Sequence, residues 1–114
     1  MSNDQSPVQL VQAHLDACNR HDLDGALAMV SRDVVVRSND VIDTGNDFAL
    51  YSDYLRDLFL TNPEVKADLL DRMSLGSVVI DETILTGLER GAFHAITIYE
   101  IARGLIASIR IISE

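Results

Sequence analysis

Between Asn19 and Val36 the chain changes character twice within a short span. Asn19-Arg20-His21 is a polar break after a helical pattern, Asp22 is placed to cap a second short helix, and Val34-Val35-Val36 reads as strand. Helices that come first and strands that follow point to an α+β layer packing, with the helices laid on one sheet. The first helix opens at Ser6, with Pro7 in its first turn and Gln9 completing a capping box. Val8, Val11, Leu15 and Cys18 recur on one apolar face, with His14 at its flank. The second helix offers Leu23, Ala26, Leu27 and Val30. Asn39 to Gly45 is loop-like, with Val41 and Ile42 able to form a short strand. A third helix runs from about Asp47 to Thr61 on the stripe Phe48, Tyr51, Leu55, Leu58 and Phe59, and Asn62-Pro63 ends it.

The remainder reads as sheet. Val65 to Leu75 and Val78 to Thr86 flank Gly76-Ser77, a two-residue hairpin turn with glycine first. Phe93 to Ile101 and Leu105 to Ile112 flank Ala102-Arg103-Gly104, a three-residue loop with glycine in the left-handed position. That loop pairs Ile101 with Leu105, Tyr99 with Ala107, Thr97 with Ile109 and Ala95 with Ile111, on one face with Phe93. The other face carries His94, Ile96, Ile98, Glu100, Ile106, Ser108, Arg110 and Ile112. Both faces are too apolar for a sheet with one side in water. One is expected to pack on the helices and line a pocket, the other to be buried by a second copy of the chain.

Composition narrows the partners. With 114 residues, a single domain over 1–114 is expected. A formal net charge of −9 argues against nucleic acid and against anionic membrane surfaces. Cys18 is the one cysteine, and Met1-Ser2-Asn3-Asp4-Gln5-Ser6 lacks the basic start and apolar core of a signal peptide. A cytoplasmic location is the expectation. No apolar run approaches the ~20 residues of a membrane span.

Taken together, Asn19 to Val36, Leu58 to Ala67, and Ile98 to Ile111 with Tyr99-Glu100-Ile101 before the Gly104 turn resemble the NTF2-like superfamily, and more narrowly its SnoaL-like and ketosteroid-isomerase-like members. The resemblance implies a cystatin-like cone: three N-terminal helices packed on a curved, mostly antiparallel sheet around an apolar cavity, often in a homodimer. It also locates three isomerase positions. The oxyanion-donating tyrosine falls on His14, the catalytic base on Ser38 with Asp40 two residues later, and the second, protonated aspartate on Thr97. Related sequences carry an Asp-His-Glu run; here the run is Asp81-Glu82-Thr83 before Ile84-Leu85-Thr86-Gly87.

Candidate chemistry follows from the same residues. Asp40 is the preferred base beside a carbonyl, with His14 as its electrophilic partner, and Asp43 lies in the same loop. The plain alternative is a loop acid and a structural histidine. Asp71 and Glu82 face each other across the Gly76-Ser77 hairpin and offer an alternative, proton-sharing pair. Arg72 and Asp81 face each other on the opposite side as a cross-strand ion pair, and such pairs also occur in hydrolases of the superfamily. Tyr51, Tyr54, Phe93, Ala95, Thr97, Tyr99 and Ile109 are the expected pocket lining. Cys18, on the apolar stripe, reads as core rather than nucleophile. His14, His21 and His94 are scattered, and there is no metal motif, phosphate loop or nucleophile elbow. The expected function is a pocket protein for a small apolar carbonyl or epoxide compound. It acts either as a cofactor-independent isomerase, cyclase or hydrolase, or as a non-catalytic binding or dimerisation module.

Overall fold

The computed structural model describes residues 5–38 and 48–113. Asp40, Asp43 and the short strand expected at Val41 and Ile42 lie outside the described residues. The elements are α1 (Pro7–Asn19), α2 (Leu23–Leu27), β1 (Val30–Ser38), α3 (Phe48–Thr61), β2 (Lys66–Leu75), β3 (Val78–Thr86), β4 (Phe93–Ala102) and β5 (Leu105–Ser113). The five strands form one sheet in the order β1-β5-β4-β3-β2. β1 runs parallel to β5, and every other pair is antiparallel. This is the α+β architecture that the chain's order of signals predicts.

Local chemistry accounts for the helix starts. Ser6 accepts from Gln9 N while the Gln9 side chain reaches back to Ser6 N at 2.9 Å, so the capping box forms. Asp22 accepts from Gly25 N at 3.0 Å and starts α2. That helix is only five residues long, and Val30 is the first residue of β1 rather than a helical one. The change of state comes immediately after α2, because Met29 O already accepts from Ile106 N at 2.8 Å and draws the chain into the sheet.

The Asn19 break is a brace. Asn19 donates to Ala67 O at 2.9 Å and accepts from Ala67 N at 2.8 Å, tying the end of α1 to the start of β2. His21, at a φ of 58°, stacks on Phe59 with centroids 4.7 Å apart and donates from Nε2 to Val65 O at 2.9 Å. Gly87 completes the same corner. Its φ is 78°, and a Cβ there would lie 2.0 Å from Glu64 O.

The first hairpin has the expected register: Leu75 faces Val78, Arg72 faces Asp81 and Asp71 faces Glu82. A bulge between Leu69 and Asp71 interrupts it. The last hairpin differs from expectation. Ala102 pairs Leu105, so the turn is Arg103-Gly104, with φ values of 54° and 76°. Two successive left-handed residues suit a tight I′ turn, which matches strand twist better than the longer loop. A register shift between Glu100 and Ile101 then brings Tyr99 opposite Ile109 and Thr97 opposite Ile111. The displacement beyond it is two residues, so these side chains keep their face. Between turn and shift the parity is reversed: Ile106, expected on the outer face, is fully buried in the core opposite Ile101. The core joins Leu10, Val11 and Ala17 of α1 to Val34, Val36, Val79 and Ile109 of the sheet, with Tyr51 and Leu55 of α3.

Candidate functional site

Burial of α1 places a histidine where the helices meet the sheet. His14 is 2% exposed and sits within the buried stripe rather than at its flank, because α2 folds back over α1. Its Nδ1 lies 3.1 Å from Ala26 O, and a carbonyl can only accept, so Nδ1 carries the proton. Nε2 is then a lone pair, and the Tyr51 hydroxyl donates to it at 3.3 Å. Burial lowers the His14 pKa to about 4, against the partial offset of the Ala26 hydrogen bond. The imidazole is neutral at pH 7. Both ring nitrogens are engaged within the protein, so the expected role as donor to a developing oxyanion is not the one this geometry provides.

Three tyrosines surround this point. Tyr51 and Tyr54 stack at 6.4 Å on α3, and Tyr99 of β4 meets His14 edge-on at 6.2 Å. Burial is the main cause that raises the Tyr51 and Tyr99 phenols above the usual range, so both remain protonated. Burial likewise pushes the Cys18 thiol up to about 12, which removes the thiolate a nucleophile needs.

These groups line a recess of about 120 Å³ between α1, α3 and the sheet. Tyr51, Tyr54, Thr97 and Tyr99 all line it, as do His14 and Cys18. Leu55, Leu58, Phe59, Leu85 and Ile111 supply its apolar walls. Among the described residues, the hydroxyls of Thr83, Thr97 and Tyr99 make no hydrogen bond to protein and remain available to a ligand. A larger recess of about 280 Å³ adjoins it, lined by Phe93, Leu88, Ser38 and Arg90 among others. The smaller recess is the better candidate site, because it holds the buried histidine and the available hydroxyls.

Ala95 and Ile109 are buried but line neither recess. The two-residue displacement of β5 puts Ile111, not Ile109, opposite Thr97, and Ile111 lines both recesses. Thr83 and Leu85 also line the inner recess, beyond the expected residues. The sequence carries a signal for them, since they share the period-2 parity of Asp81.

The carboxylates divide between the two sheet faces. Asp81 is 1% exposed and takes a bidentate pair from Arg72, with Nη2 to Oδ2 at 2.8 Å. Gln12 of α1 accepts from Arg72 Nη1 at 2.8 Å and completes this part-buried cluster, which lines neither recess. Glu82 points to the outer face and meets His94 Nε2 at 2.7 Å. Asp71 is exposed opposite it and accepts from Arg72 N at 2.8 Å. The Asp71–Glu82 pair therefore lies outside the recess. Among the described residues, no carboxylate other than Glu89 at the outer recess reaches either lining, and no three His, Cys, Asp or Glu side chains gather as a metal cage would require.

Known proteins place this arrangement. No curated protein matches the chain by sequence. The fold is shared with a cystatin-fold protein of Novosphingobium aromaticivorans, at a TM-score of 0.84 and 16% identity over 94% of this chain and 97% of that one. It is shared with a candidate ketosteroid isomerase of Kribbella flavida, at 0.83 and 15% identity over 100% and 82%. A candidate polyketide cyclase of Pseudomonas putida gives 0.75 and 19% identity over 94% and 90%. At these identities the likeness is one of fold. The SnoaL-like domain profile matches residues 11–109, nearly the whole sequence, and the chain belongs to that family.

Proposed function

We propose that the smaller recess binds a small, largely apolar compound carrying a carbonyl or epoxide oxygen. The observation that carries this reading is the set of available Tyr99, Thr83 and Thr97 hydroxyls inside an otherwise apolar lining. A ligand oxygen that accepts from Tyr99 takes the place of water at a hydroxyl the recess leaves accessible, and the bond gains strength as the ligand's apolar body excludes water around it. The apolar body packs against Leu55, Leu58 and Phe59.

Magnitude favours holding over proton abstraction. With a pKa of about 4, His14 is a weak base, far from the value near 7 that suits a general base. A second reading makes the chain a cofactor-independent isomerase, cyclase or hydrolase. The fold it shares with a candidate isomerase and a candidate cyclase supports it. That chemistry calls for a carboxylate base, and Asp40, outside the described residues, is the one closest to the family's base position.

A titration separates the readings. Small ketones, lactones and epoxides are added while tyrosine emission and product formation are followed together. Tyr99→Phe is expected to weaken binding roughly two- to tenfold, the worth of one hydrogen bond. Unchanged affinity in a folded Tyr99→Phe protein removes Tyr99 from the site. Saturable binding without product supports the module, whereas turnover lost in Asp40→Asn supports the enzyme.

The outer face supports a homodimer as part of the same reading. Ile96, Ile112 and Met73 are 38%, 41% and 64% exposed, with Ile80 and Ile98 between them in the sheet. An apolar patch of this kind, rimmed by Glu82, His94 and Arg110, is what a partner covers. A monomer in sedimentation at micromolar concentration overturns it.

A further inference from the structure

The two recesses meet at one wall. Tyr54, Leu58, Leu85 and Ile111 line both of them. Tyr54 and Leu58 lie one turn apart on α3, whereas Leu85 and Ile111 come from β3 and β5. All four are half-buried. The wall is thus built from side chains of opposing layers, whose rotamers set how far the two recesses communicate.

Size decides what such a pair can hold. A cavity of ~150 Å³ takes benzene; the inner recess, at about 120 Å³, is somewhat smaller, so a ring-sized head fills it and anything longer must extend beyond it. Pockets for larger organic ligands run from ~300 to 1,000 Å³. Neither recess reaches that range alone, since the outer one is about 280 Å³, but the two together do. Their polar groups also differ. The Thr83, Thr97 and Tyr99 hydroxyls belong to the inner recess alone; the outer one joins an apolar floor of Leu85, Leu88, Phe93 and Ile111 to a polar rim that includes Asn62, Glu89 and Arg90, with the Arg90 guanidinium 4.6 Å from the Phe93 ring.

We propose that the ligand spans both recesses. A ring-sized, oxygen-bearing head sits in the inner recess and an apolar tail of several carbons passes the Tyr54/Leu58–Leu85/Ile111 wall into the outer one. This rests on the binding reading above and adds to it the class of ligand. The wall residues then act on specificity, because they decide which tails pass.

Cyclohexanone and 4-pentylcyclohexanone are suitable probes: the second adds a five-carbon tail opposite the carbonyl. The readout is local, because the chain has no tryptophan and all its tyrosines, Tyr51, Tyr54 and Tyr99, line the inner recess. The tailed ketone is expected to bind at least tenfold more tightly, given the gain from each buried methylene. Leu88→Trp, which fills the outer recess only, is expected to abolish that gain and leave cyclohexanone affinity unchanged by calorimetry. Cyclohexanone binding reports that the variant is folded. If it is lost, Thr61→Trp at the exposed end of α3 takes the place of the first variant. Equal affinity for the two ketones overturns the two-recess inference, as does a tail gain that survives the outer-recess variants. Absence of binding by either ketone overturns the binding reading itself.

Discussion

Asp81 and Glu82 are consecutive in β3, and the pleat sends one to each face of the sheet. Each finds a basic partner on a neighbouring strand, Arg72 of β2 for Asp81 and His94 of β4 for Glu82. The pairs have similar contact lengths but different surroundings. The Arg72 and Asp81 side chains are 13% and 1% exposed, whereas His94 and Glu82 are 37% and 39% exposed. On the inner face, Asp81 has almost no access to the water that would replace a lost partner. On the outer face water can take the partner's place. The same contrast runs through the whole sheet: the inner face commits its polar groups to protein or leaves hydroxyls pointing into a recess, while the outer face mixes charges with exposed isoleucines.

The largest expected effect comes from breaking the inner pair. Arg72→Ala strands the Asp81 carboxylate without its partner and is expected to cost about 3–5 kcal/mol in denaturant unfolding. The double variant Arg72→Met, Asp81→Leu is expected to recover most of that loss, because it removes both charges together. A single variant that costs under about 1 kcal/mol would make the inner pair equivalent to a surface one.

Acid tests the same face through His14. Its folded pKa, about 4, lies below the unfolded value of 6.5, so the unfolded chain binds the proton more readily. Its contribution to stability is full above about pH 6.5 and falls as the pH drops towards 4. The span corresponds to about 3 kcal/mol. Unfolding curves from pH 7 to 4 are expected to show this slope, and His14→Gln is expected to flatten it. A wild-type protein equally stable at both ends would mean that His14 is not held neutral.

The outer pair is expected to matter least. Glu82→Gln should cost no more than about 1 kcal/mol in a monomeric protein. A larger loss that grows with protein concentration would show that a second copy buries this face, and would sharpen the contrast rather than abolish it. Cys18 supplies a readout of inner-face access with little energetic cost. With its pKa near 12, it is expected to resist iodoacetamide at pH 8 in the native protein and to react on unfolding. Rapid native labelling would mean that the inner recess opens readily.

Period and punctuation made much of this legible beforehand. Ser6, Asp22 and the Gly76-Ser77 turn act through neighbours a few residues away, so their outcomes needed no knowledge of the fold. The first hairpin placed Arg72 against Asp81 and Asp71 against Glu82 by counting alone. Face parity survived even where the last hairpin slipped, because a two-residue displacement preserves it for Thr97, Tyr99 and Ile111. The outer-face placement of Ile106 did not survive, because a single-residue shift reverses a face and a bulge leaves no clear mark in composition.

What only the tertiary structure decided is which side chains are without water and what they touch there. His14 could be named as a cavity residue by resemblance, but its chemistry depends on Ala26 O and the Tyr51 hydroxyl, which reach it from two other helices. The sequence alone sets which residues share a face of a helix or strand, since that follows from covalent geometry at short range. It does not by itself set the dielectric around a group, because that depends on every layer packed over it. For this chain, that long-range packing turns one histidine into a neutral acceptor, separates Asp81 from Glu82, and leaves three hydroxyls facing an apolar recess.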